Sequence, residues 1–341
     1  MPEAKGLNPM LISAARFGGI SSVFLALIFI LNNFVTYVGG NLGIWGTFGA
    51  SGLFGFAPPK GEISSSMLVY GWMQVILVAG AIAAAAYYTK TMGSLSIDAD
   101  RMDRLSSFII RVAFWSVLLV GVADAVISFI RVEDLHTAMF GKAIATNLGL
   151  SNWRGLYIHI PLMILSVFIA MKDKSVSVVW LILLVVIAEL FIVLARFIFA
   201  YEQTFMGDLV RFWYASLFLF ASAYTLKSEG HVRVDVIFAG LRDRTKALLN
   251  ATGTVAFGIP LCWLILLLGL SGKASLINSP MLNFETSMSG FGMYVKYLMA
   301  AYLVVFAISM LIQFTSYFFN ALAAMESQGN DKANDKSAAG A

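Results

Sequence analysis

Eight long apolar runs, separated by short polar stretches, set the pattern of this chain. They fall at about 18–38, 67–89, 107–130, 156–171, 177–199, 209–226, 247–270 and 293–318. Each approaches or exceeds the length that crosses about 30 Å of hydrocarbon as a helix. The runs are apolar on every side, as lipid-embedded helices are. The fourth is short and the fifth follows almost at once, so these two form a tight hairpin. The pattern predicts an all-α integral membrane protein of about eight transmembrane helices. The first run leads into Asn32-Asn33 with no small-x-small cleavage site, so it is expected to stay as a span.

The polar stretches carry further signals. Between the first two runs, glycine recurs every third residue from Gly40 to Gly55, followed by Pro58-Pro59. The triplets lack proline, which excludes collagen, and no Gly-Lys-Ser/Thr follows, which excludes a phosphate loop. An irregular outer loop against the membrane is the favoured reading; a glycine face for close helix packing is the other. Asp98, Asp100 and Asp103 precede an apolar run and mark a helix start. Segment 135–150 is mildly apolar and fits the outer surface, while Trp153, Tyr157 and His159 open the fourth span at the interface. Past Arg233, Val234, Ile237, Phe238 and Leu241 repeat at helical spacing beside Arg242, Arg244 and Lys246. That predicts a short amphipathic helix in the headgroup plane. Beyond Met325 the periodicity stops, and a polar, unstructured tail is expected.

Composition agrees with a chain dissolved in lipid. Of 341 residues 59% are hydrophobic and 12% charged, about half the charged share of a soluble domain, and mean hydropathy is +0.82. Net charge is +4. With a cytoplasmic amino terminus, fourteen lysines and arginines fall in inner segments and six in outer ones: Lys60, Arg131, Lys142, Arg154, Lys273 and Lys296. That bias predicts both termini in the cytoplasm. Cys262 is the only cysteine, so neither an internal disulfide nor a cysteine metal site is available.

Ionisable residues inside spans are costly and require a partner or a task. Glu189 lies near the middle of the fifth span with Arg196 two turns on, and Asp124 lies in the outer half of the third with Arg111 toward its inner end. Proton or sodium relay is one reading. No ladder of acids runs through successive spans, so the favoured reading makes both buried and bonded to polar side chains, Ser128 being the near candidate for Asp124. His136, His159 and His231 are not at matched depth on facing helices, as a haem would require. No metalloprotease motif, nucleophile elbow or paired carboxylates are present, so no catalytic, cofactor-binding or metal-binding residues are expected.

From Asp173 to Lys246 the motifs form an order. Arg196 closes one span, Glu202 sits in the outer turn, and Arg211 with Trp213 opens the next span. His231, Arg233 and Asp235 start the inner loop, and Glu285 with Gly290 precedes the last span. In this order and spacing the chain resembles the DctQ-type small membrane subunit of the tripartite ATP-independent periplasmic (TRAP) transporters, over about residues 173–320. The resemblance implies a non-enzymatic scaffold in the bacterial inner membrane. Its implied partners are a large, sodium-coupled elevator subunit and a periplasmic protein that delivers an organic acid for symport. Arg196, Glu202, Arg211, Trp213, His231, Arg233, Asp235 and Glu285 become candidates for partner contact or structure. The compact version has four spans, so residues 1–172 read as a four-span extension, 173–320 as the subunit-like region and 321–341 as the tail. From a different class, a membrane anchor of a respiratory or redox enzyme is the alternative.

Overall fold

Helices account for every regular element among the described residues. The computed structural model of the chain describes residues 7–91, 93–175, 178–227, 236–287 and 292–339. Its helices are α1 (Pro9–Tyr37), α2 (Ile44–Ala50), α3 (Ser65–Thr91), α4 (Leu95–Val132), α5 (His136–Leu148), α6 (Ser151–Lys172), α7 (Val178–Phe199), α8 (Thr204–Lys227), α9 (Val236–Ala239), α10 (Asp243–Gly269), α11 (Asn278–Leu282) and α12 (Lys296–Ala339). Eight of them are long and apolar enough to cross a membrane: α1, α3, α4, α6, α7, α8, α10 and α12. The chain is therefore an all-α, multi-pass membrane protein.

Local chemistry sets the helix ends. Asn8 caps α1, its side chain accepting from the Met10 N–H, with Pro9 in the first turn where a missing N–H does no harm. Helix α7 closes on Ala200 at φ +52°, with the Tyr201 N–H donating back to the Ala195 carbonyl. In α6 and α10 one turn widens to π geometry, at Gly155–His159 and Thr254–Gly258. Each widened turn immediately precedes Ile-Pro (160–161 and 259–260). Proline lacks the N–H for the preceding turn and its ring crowds the carbonyl four residues back, so the helix expands there.

Two compact units are present, each assembled from discontinuous stretches. The first comprises 1–104, 231–267 and 310–341. In it α1 packs on α3. Arg16 of α1 reaches Asp98, with Nε and Nη2 each 2.8 Å from Oδ2, while the Tyr88 hydroxyl donates to Oδ1 at 2.8 Å. Asp98 lies in the first turn of α4, so the helix start expected there doubles as an ion-pair anchor. Gly19 meets the Phe319 ring and Gly258 the Phe314 ring, and Trp263 Nε1 donates to Ser22 at 2.8 Å. The glycine series falls in a loop with one short helix, and the close helix approach there uses Gly71 rather than a glycine of the series. Gly40, Gly52 and Gly55 turn at positive φ, but 44–50 forms α2, whose Thr47 lies against Gly71 of α3. Gln74 donates to the Leu42 carbonyl at 2.8 Å and pins the loop.

The second unit comprises 105–230 and 268–309. Its core is apolar: Phe114, Val117 and Val120 of α4, Leu181, Leu184 and Ala188 of α7, and Phe212, Trp213 and Phe220 of α8. Contacts cross residues 172/173: Trp213 of α8 donates to the Val117 carbonyl of α4, and Gly155 of α6 meets the Phe284 ring.

One expectation falls partly outside the described residues and another needs correction. The expected interfacial helix is described only as the four residues of α9; His231, Arg233 and Asp235 lie outside the described residues. The polar tail is helical rather than unstructured, since α12 runs on to Ala339. No proline follows Met325 to stop it, and a nucleated helix extends at one hydrogen bond per residue.

Candidate functional site

At one end of the second unit, side chains from three spans converge on the segment before α12. Asp124 of α4 is fully buried. Its Oδ1 accepts from Arg154 Nη1 at 2.8 Å and faces His159 Nε2 at 3.1 Å, and its Oδ2 accepts the Tyr294 backbone N–H at 2.7 Å. Arg154, equally buried, also donates from Nε to the Leu148 carbonyl at 2.6 Å and from Nη1 to Ser128 at 3.4 Å. Its guanidinium lies over the Tyr294 ring, 4.1 Å from the centroid, with Arg131 over the same ring at 5.0 Å. His159 Nδ1 is 2.8 Å from the Tyr297 hydroxyl. With the proton on Nε2, the imidazole donates to Asp124 and accepts from Tyr297, so both ring nitrogens are satisfied, while Arg154 Nη2 has no hydrogen-bond partner among the described residues.

The widened turn of α6 explains how two such groups reach one carboxylate. Arg154 and His159 bracket the turn, whose Gly155 leaves room for Phe284; a Cβ there would fall on the Phe284 ring and 3.2 Å from the Tyr297 hydroxyl. Phe284 itself sits at φ +47°, a strained backbone for a bulky residue. A charge taken out of water in hydrocarbon requires this density of partners.

A second carboxylate holds the same segment. Asp208 Oδ2 accepts from the Ser287 hydroxyl and from the Met293 N–H, both at 3.1 Å, and Arg211 lies 3.5 Å from Oδ1. Glu285 pairs with Lys296 at 2.6 Å, and its carbonyl accepts the Tyr297 N–H at 3.0 Å. The first turns of α8 are thus bound, through Asp208, to Ser287 and Met293.

The remaining candidates divide by exposure. Trp213 is buried, its Nε1 donating to the Val117 carbonyl at 3.1 Å and its ring against Gly121. Arg196 and Glu202 form an exposed pair at 3.4 Å, 63% and 57% accessible, worth about 0–1 kcal/mol. Arg211 is 75% accessible. Tyr201 donates to Glu133 at 2.6 Å; burial, then that carboxylate, pushes its phenol up to about 12. Asp124 is buried as expected, though its partners are Arg154, His159 and Tyr294, with Ser128 reached through Arg154. Glu189 is not buried: it lies on the exposed side of α7, because that helix packs through Leu181, Leu184, Ala188 and Ala195, flanked by Val185 and Ile192. Arg154 and His159 were outside the sequence-derived site. The signal available was a buried acid, Asp124, that needed a cation, and a loop that carried too many.

A cavity of about 300 Å³ lies among α4, α6, α8 and α12, lined mostly by apolar residues such as Phe108, Val112, Met163, Phe212 and Val305, with Ser116 and Tyr302 the hydroxyl-bearing residues in its wall. It holds no charged side chain to bind a carboxylate or a sodium ion. No cluster of three or more His, Cys, Asp or Glu suited to a metal occurs among the described residues.

Residues 181–323 match the family model described as Tripartite ATP-independent periplasmic transporters, DctQ component. No curated protein and no solved structure matches the chain. The match covers α7, α8, α10 and most of the apolar part of α12, together with the Asp208–Met293 and Glu285–Lys296 contacts. Four further spans precede it, so residues 181–323 are similar to the DctQ component of the TRAP transporters and carry a four-span N-terminal extension.

Proposed function

We propose that this chain is the scaffolding small subunit for the large, sodium-coupled elevator subunit of a TRAP transporter. On this reading it sits in a bacterial inner membrane with both termini cytoplasmic. The complex takes up an organic acid delivered by a periplasmic protein. The observation that carries the reading is the DctQ match, supported by how the polar groups are used. Asp124, Arg154, His159 and Asp208 are consumed in fastening the segment before α12 to three spans. A carrier needs such groups free to bind and release an ion. The redox-anchor reading finds less support, since His159 has both ring nitrogens engaged.

Mild-detergent purification of the tagged chain tests the proposal. A large polytopic protein in equal amount is the expected companion; the chain alone, or with a flavin or iron–sulfur protein and haem absorbance, overturns it. On this reading the exposed Arg196–Glu202 pair belongs to the surface that meets the periplasmic protein. Glu202→Lys is expected to raise the concentration of that protein needed for half-maximal uptake several-fold, with steeper salt dependence, as rim charges do. An unchanged uptake curve would remove Glu202 from the docking surface.

A further inference from the structure

Glu189 is the eleventh of the 21 residues in the α7 span, Val179–Phe199, and therefore sits at mid-depth. It is exposed and has no hydrogen-bond or ion-pair partner among the described residues. Ile182, Val186, Val193 and Phe197 extend the same helical stripe above and below it, 47%, 54%, 46% and 81% accessible. Arg196, two turns along and about 10 Å away by helix rise, is turned to Glu202. This chain thus presents one carboxylate, at the depth where charge is most costly, on an otherwise apolar face.

We propose that this face docks a transmembrane helix of the large subunit that presents a lysine or arginine at mid-membrane depth to Glu189. The inference rests on the transporter reading above and adds the face and the chemistry of the contact. Charge complementarity selects this occupant. Lipid tails offer a carboxylate no donor. A second copy of the chain packed by a two-fold axis would oppose Glu189 to Glu189, and residues 185–193 contain no other polar side chain to relieve it. An ion pair inside the contact would fix the depth and rotation of α7 against its partner, a register role that buried polar groups in apolar interfaces can serve.

The experiment uses the whole complex, purified through a tag on this chain. Glu189→Lys is expected to cut the recovered large subunit about ten-fold or more, since it sets like charges against each other in a desolvated contact. Glu189→Gln, which keeps a hydrogen-bonding amide, is expected to fall between that variant and the parent. Insertion of the lysine variant is checked by its amount in the membrane. Independently of insertion, a photo-crosslinking benzoylphenylalanine at Val186 or Val193, with Glu189 intact, should capture the large subunit. Restoration of Glu189→Lys by a lysine-to-glutamate or arginine-to-glutamate change at the captured depth completes the assignment. Crosslinks to lipid only or to a second copy overturn the proposal, as does full recovery of the complex with Glu189→Lys. In those cases the transporter reading still stands, because the parent chain brings its partner. A parent chain that brings no polytopic protein overturns both.

Discussion

Replacing Asp124 with alanine is expected to destabilise the second unit by about 3–5 kcal/mol, the cost of leaving a buried partner uncompensated. The substitution strips Arg154 of its carboxylate while both are fully buried, and removes the acceptor of the Tyr294 N–H. Arg154→Leu should cost a similar amount, from the opposite side of the same pair. The double variant Asp124→Leu/Arg154→Leu should lose much less than the two singles summed, because replacing both charges with apolar groups leaves neither stranded. Asp124→Asn keeps an oxygen for Tyr294 and should lie between. Thermal unfolding of the detergent-purified protein, with the fraction still monodisperse as readout, measures all four. Additive losses would mean that the carboxylate and guanidinium act separately and that the cluster is not a unit. Loss of Asp124 should also free one of the two carboxylate tethers on 284–294, leaving Asp208 to hold Met293 alone.

The eight spans were legible because a run of about 20 apolar residues has few alternatives in lipid. The resemblance of residues 181–323 to the DctQ component was legible through Arg196, Glu202, Arg211, Trp213 and Glu285, whose order survives without knowledge of contacts. The cluster around Asp124 was harder, for a physical reason. Charge counting by loop assumes that a basic residue between spans faces water. Arg131 and Arg154 instead stack on Tyr294, and Arg154 has no exposed surface. What turned Arg154 inward was the proline two turns later and the widened turn it forces, a geometric consequence that periodicity does not report. Glu189 was missed differently. Apart from Glu189 and Arg196, helix α7 is apolar, and mid-depth alone suggested burial for Glu189. The rotation came from small and branched residues at 181, 184, 188 and 195, which meet the core while Glu189 points away.

Trp213→Ala is the second large effect, expected at about 3–5 kcal/mol as for other buried aromatic deletions. The indole fills the space left by Gly121, whose missing Cβ would otherwise stand 2.5 Å from Nε1, so α8 approaches α4 through a matched pair of large and small residues. Trp213→Phe should cost far less. It keeps most of the buried ring and gives up one hydrogen bond to the Val117 carbonyl, worth about 0.5–1.5 kcal/mol net. The converse change, Gly121→Leu, overfills the contact and should cost about 1–3 kcal/mol. Combined with Trp213→Ala it should recover part of the loss, because volume is exchanged across the same contact. Unfolding midpoints of the four purified proteins decide it. Were Trp213→Ala as stable as the parent while the large subunit no longer co-purified, the indole would belong to the partner's interface. Its position in the α4–α8 contact, with 5% of its surface exposed, argues that stability is where the loss will appear. Assembly should then fail only as far as the bundle itself does.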